Sequence, residues 1–121
     1  MPKTVLIVED NELNMKLFVG LLQESGYETV QSADGRDVVD LARKHKPDLI
    51  LMDIQLPETS GLECALRLKA DGDLKDIPVI AVTAFNLDGG IERIFAAGCA
   101  EVLSKPVDAP HFLETVAKFI S

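Results

Sequence analysis

Apolar residues in this chain gather into short unbroken runs that alternate with stretches of helical spacing. Val5 to Val8, Leu49 to Met52 and Val79 to Val82 are bare runs of four, each bounded by polar or turn residues. Runs this short, with no polar position inside them, suit strands buried on both faces of a parallel sheet. Glu28 to Ser32 alternates polar with apolar, and the run around Val102-Leu103 is shorter still, so these two predict edge strands. Between the strands the period changes. From Asn14 the positions Leu17, Phe18, Leu21 and Leu22 follow the spacing of a core-facing helix, capped by Asp10 or Asn11 and stopped at Gly26. A second helix carries Val38, Val39, Leu41 and Ala42 from the Asp34-Gly35 turn towards Pro47. A third, capped by Ser60, turns Leu62, Ala65, Leu66 and Leu68 inward and fades into the polar loop Asp71 to Asp76. A fourth lies between Asp88 and Ala97, and a fifth starts from Asp108 with Phe112, Leu113, Val116 and Phe119 on its buried side. The Gly89-Gly90 pair costs the fourth helix about 1 kcal/mol per glycine relative to alanine, which predicts a mobile segment at its start.

Strand and helix thus alternate five times with short connections. That pattern calls for an α/β fold: a parallel sheet covered on both faces and joined by right-handed crossovers. With the three bare runs central and the other two at the edges, the strand order is 2-1-3-4-5, and the ligand crevice falls between strands one and three. A length of 121 residues fits one domain spanning 1–121. A hydrophobic fraction of 47% opposes disorder, and a net charge of −8 opposes binding to nucleic acid. Cys64 and Cys99 match no zinc or redox spacing and read as reduced small hydrophobes in a cytoplasmic protein. No apolar run approaches the roughly 18 residues of a membrane span. Met1-Pro-Lys-Thr leads directly into a strand, so no signal peptide is expected.

The chemistry gathers where strands end. Glu9-Asp10 follows the first run, Asp53 the third, Thr83 the fourth, and Lys105 the fifth. Three carboxylates meeting at the crevice must either protonate or share a cation. An all-oxygen set with no cysteine or histidine beside it favours Mg²⁺, with Mn²⁺ an acceptable substitute, and the backbone carbonyl of Gln55 is placed to add a ligand. A carboxylate is also able to act as a nucleophile towards phosphorus, and phosphoryl transfer depends on positioning and charge neutralisation. Asp53 is then the acceptor, while the Lys105 ammonium and the Thr83 hydroxyl meet the phosphoryl oxygens. His45 and His111 belong to helix surfaces.

The set Glu9-Asp10, Asp53, Thr83-Ala84 and Lys105-Pro106, in this order and spacing, resembles the receiver domain of two-component response regulators over the whole chain. The resemblance implies a flavodoxin-like three-layer sandwich. It implies Mg²⁺ on Glu9, Asp10, Asp53 and the Gln55 carbonyl, and phosphorylation of Asp53 by a histidine kinase. It also implies contacts from Thr83 and Lys105 to the phosphoryl group, and a cis Lys105-Pro106 peptide. Family members usually carry an aromatic residue three positions before the lysine, where this chain has Val102, so readout falls more heavily on Thr83 and the loop Phe85-Asn86-Leu87.

Partners follow from the same reading. Leu13, Met15 and Val19 form an outward flank of the first helix, where the resemblance implies docking by histidine kinases and phosphotransfer proteins. Downstream proteins would meet the face of the fourth helix, fifth strand and fifth helix, biased by phosphorylation. Three alternatives stay open: a relay that passes its phosphate to a phosphotransfer histidine, an aspartyl-phosphate phosphatase, and a flavin carrier. The phosphatase wants an acid two residues after the nucleophile, where Gln55 stands. The flavin carrier wants a hydroxyl- and glycine-rich cradle after Val8, which is missing.

Overall fold

A computed structural model describes residues 2–54, 61–83 and 91–120. The elements run β1 (Thr4–Val8), α1 (Glu12–Glu24), β2 (Glu28–Ser32), α2 (Val38–His45), β3 (Leu49–Asp53), α3 (Gly61–Ala70), β4 (Val79–Thr83), α4 (Ile91–Ala96), β5 (Glu101–Ser104) and α5 (Ala109–Ile120). The sheet is parallel throughout, in the order β2-β1-β3-β4-β5. The Gln55 carbonyl, the Ser60 cap, the loop Phe85-Asn86-Leu87 and the Gly89-Gly90 pair lie outside the described residues.

The period-2 alternation of each strand divides its apolar residues between two cores. On one face Val5, Ile7, Leu49, Leu51, Ile80 and Val82 pack under α1 and α5, where the Phe18 and Phe112 rings stack with centroids 5.2 Å apart. On the other, Leu6, Val8, Ile50, Met52, Val79 and Ala81 meet α2, α3 and α4. All of β3 and β4 is buried, whereas β2 and β5 are partly exposed, as the sequence pattern predicts.

Local signals end the helices where expected. Asn11, not Asp10, caps α1: its Oδ1 accepts from the Asn14 N–H at 3.0 Å. Gly26 adopts φ 91 just beyond that helix, a conformation open to glycine without strain. Asp108 caps α5 by accepting from the His111 N–H at 3.1 Å. α2 stops differently. Lys46 takes the left-handed conformation at φ 46 and returns its N–H to the Ala42 carbonyl, so the helix ends before Pro47 with no glycine.

Two helix phases differ from the periodicity reading. In α1 the buried stripe is Met15, Phe18 and Leu22, and Leu17, expected inside, is 44% exposed. Met15, expected on the outward flank, is a core residue, and Val19 is half-buried against the same core. Leu13, Met15, Leu17, Phe18 and Val19 place apolar residues on more than one side of α1, so spacing alone leaves the phase undetermined and packing on β1 and α5 selects it. In α3 the stripe is Gly61, Cys64, Ala65 and Leu68, and Leu66 is 53% exposed. Cys64 supplies the small buried hydrophobe that the spacing had assigned to leucine.

Candidate metal and phosphoryl-acceptor site

The carboxyl ends of β1, β3, β4 and β5 meet at one rim because the strands are parallel and in register. Asp53 stands beside Val82, and Thr83, one step further along β4, stands beside Ser104 of β5. Lys105 follows immediately, its N–H bonded to the Thr83 carbonyl at 2.8 Å. The Lys105-Pro106 peptide is cis. Glu9 continues β1 by giving its N–H to the Ser32 carbonyl at 3.0 Å. Ser32 in turn shapes the loop after β2, its Oγ donating to Asp37 Oδ1 at 2.6 Å and accepting the Gly35 N–H at 3.2 Å.

Glu9, Asp53 and Thr83 are buried, Asp10 is exposed, and Lys105 is half-buried. The Lys105 Nζ lies 2.8 Å from Glu9 Oε1 and 3.2 Å from Asp53 Oδ2, bridging the two buried carboxylates. Glu9 Oε2 accepts the Asn11 N–H at 3.2 Å. Oε1 has the ammonium close by yet no aligned hydrogen bond, so a buried carboxylate oxygen keeps unused lone pairs facing the site. Burial, reinforced by Asp53, pushes the Glu9 carboxyl up to about 7, against the opposing pull of Lys105 and the Asn11 N–H. Burial also works against the Lys105 charge, but Glu9 and Asp53 outweigh it and hold the ammonium above its ordinary value.

One ammonium against three carboxylates leaves the site short of positive charge. Glu9, Asp10 and Asp53 each offer an oxygen, and these three oxygens lie within 4.8 Å of one another. The set is hard and all-oxygen, with the exposed Asp10 open to water, which suits a Mg²⁺ ion that keeps part of its hydration. Glu9 Oε1, buried beside the Lys105 ammonium with no aligned hydrogen bond, fits the same set.

Residues 5–117 match the response regulator receiver domain family. The chain belongs to that family. It is 58% identical over 120 residues to the polar-differentiation response regulator DivK of Brucella anthropi, covering 99% of this chain and 98% of the relative, and equally to DivK of Brucella ovis. Among solved structures, the chemotaxis protein CheY4 of Vibrio cholerae superposes with a TM-score of 0.93 at 26% identity, over 99% of this chain and 100% of that one. The receiver domain of the sensor histidine kinase PA1611 from Pseudomonas aeruginosa gives 0.91 at 31% identity, over 99% of this chain and 98% of that one. That structure carries a magnesium ion coordinated in its active site cleft.

Seen as a receiver, the chain brings every described site residue expected from its sequence to one rim. Two things were not anticipated. The first is that Lys105, expected to meet the phosphoryl group, bridges Glu9 as well as Asp53. The second is Gly61. A Cβ there would sit 2.3 Å from the Asp53 carbonyl oxygen and 2.6 Å from the Ile54 Cα, so α3 begins hard against the backbone that carries Asp53. A glycine at the start of a helix, eight residues beyond the acid, was the available signal. Val102 lies half-buried on β5, packed on the core face that α2, α3 and α4 share.

Proposed function

We propose that this chain, acting as a single receiver domain over residues 1–121, is a phosphorylation switch in the cytoplasm whose acceptor is Asp53. The supporting observation is the buried Asp53 carboxylate held against the Lys105 ammonium beside the Glu9-Asp10 pair. An Asp53 oxygen attacks the phosphorus of a kinase phosphohistidine or a small acyl phosphate; the new O–P bond replaces the donor's N–P or O–P bond, and the imidazole or carboxylate departs. Lys105 and the Thr83 hydroxyl meet the charge on the equatorial oxygens. Glu9, Asp10, Asp53 and the Gln55 carbonyl would hold Mg²⁺ (or Mn²⁺), which would supply further neutralisation of those oxygens. Slow attack by water on the same phosphorus releases phosphate and resets the switch, so the only turnover is this self-catalysed loading and discharge. Incubation with acetyl phosphate and Mg²⁺ should add the mass of one phosphoryl group to the native chain. Asp53→Asn, or native protein in EDTA, should gain nothing. An equal gain in Asp53→Asn would remove the acceptor from the scheme.

Histidine kinases and phosphotransfer proteins dock on α1, through the leucines that the structure leaves outside. Leu13 is 77% exposed and Leu17 lies one turn further along the same side, while Met15 belongs to the core. Leu13→Glu and Leu17→Glu should each slow phosphotransfer from a kinase by about tenfold, the scale of an interface anchor. Their acetyl phosphate labelling should match that of the native chain. Unchanged transfer from the kinase would place the docking face elsewhere. Downstream proteins read the face of α4, β5 and α5, where Phe95 offers an exposed ring.

A further inference from the structure

We propose that two copies of this chain pair through the groove between α3 and α4. The groove measures about 430 Å³; α3 lines one wall with Leu62, Glu63 and Leu66, and α4 with the residue after it lines the other with Arg93, Ala96 and Ala97. Four of these six are apolar, and Leu66 stands out into solvent with 53% of its surface exposed.

The occupant is argued from self-complementarity. A two-fold interface requires one patch to carry both halves of each contact, so that residue i meets j and j meets i. Here one wall carries a projecting leucine and the other a pair of alanines, a knob and a hole on the same surface. The charges repeat that arrangement. Glu63 stands on the leucine wall, and Arg93 on the alanine wall has no ion pair among the described residues. Glu63 already holds Arg67 at 3.0 Å through Oε1, which leaves Oε2 for a second guanidinium. With the α3 of one copy laid along the α4 of the other, each Leu66 fills the space over Ala96 and Ala97. Each Glu63 then faces the opposite Arg93. Exposed ion pairs add little energy but set register, so the leucines carry the affinity and the charges fix the alignment.

Two short helix faces offer less than the roughly 800 Å² per partner of a stable complex, and a net charge of −8 on each copy adds repulsion. Pairing therefore belongs to the range of about 100 μM and above. Sedimentation equilibrium of the unphosphorylated chain in metal-free buffer, up to about 1 mM, reads it directly. This keeps it independent of Asp53 chemistry. The average mass should climb towards that of a dimer with concentration. Leu66→Glu should hold it at the monomer. Glu63→Arg and Arg93→Glu should each weaken association by about tenfold, and the double variant Glu63→Arg/Arg93→Glu should restore it, because the exchange rebuilds the same pair in reverse. Circular dichroism checks that every variant is folded. A chain that stays monomeric at the top concentration overturns the proposal. So does a dimer indifferent to Leu66→Glu, or a double variant no stronger than its parents.

Discussion

Replacing Glu9 with glutamine is expected to stabilise the metal-free protein at pH 8 by about 2 kcal/mol, although it deletes one member of an ion pair. The carboxyl is raised from 4.5 to about 7 by burial and by the neighbouring Asp53. Between those two values the native state holds a proton that the unfolded chain has released. Native binding of the extra proton makes stability fall as pH rises from about 4.5 to about 7 and level off above. A displacement of that size corresponds to roughly 3 kcal/mol across the window, from which the variant's lost contact with Lys105 is subtracted. Glutamine keeps the shape and carries no charge, so the variant should show little of this slope. Urea denaturation of both proteins at pH 5 and pH 8 in EDTA measures the difference. A gap that does not widen with pH would show that Glu9 is not the strained group. Mg²⁺ should act in the opposite sense, stabilising the native chain most above pH 7, where its ligands are ionised, and the variant much less.

Gly61→Ala should cost about 3 kcal/mol and slow the labelling of Asp53. The added Cβ would meet the Asp53 carbonyl oxygen at 2.3 Å and the Ile54 Cα at 2.6 Å. Both are backbone atoms, so no side chain is able to swing aside. The end of β3 must separate from the start of α3, which strains the 3.3 Å bond from the Gly61 N–H to the Ile54 carbonyl. The Asp53 carboxylate hangs from the same segment, so its aim at Lys105 shifts too. Gly20 and Gly72 supply the comparison, since a Cβ at either meets nothing within 4 Å. Gly20→Ala, in an exposed turn of α1, should gain about 0.5–1 kcal/mol through helix propensity. Urea midpoints for Gly61→Ala and Gly20→Ala test the contrast. A Gly61→Ala protein as stable as the native one would mean that the β3–α3 junction yields easily.

Much of this protein was legible one residue at a time. The bare runs at Val5, Leu49 and Val79 announce buried parallel strands because no polar residue interrupts them, and the mostly polar stretch from Glu28 to Ser32 suits an edge. The site was legible for a related reason. A parallel sheet brings every strand's carboxyl end to one rim, so an acid, a threonine and a lysine placed just after successive runs have to converge. Helix phase was harder to read. Leu17, Met15 and Leu66 were misplaced because a helix with apolar residues on most sides does not declare which side faces in.

By itself, then, the order of residues determined the architecture and the strand order and pointed to the residues of the candidate site, since these follow from hydrophobic period and from which residue ends each strand. Only tertiary structure decided the rotation of α1 and α3, the ion pair between Glu9 and Lys105, and the close backbone approach that a side chain at 61 would meet. Each of these depends on distances between segments far apart in the chain, and short-range pattern carries no information about such distances.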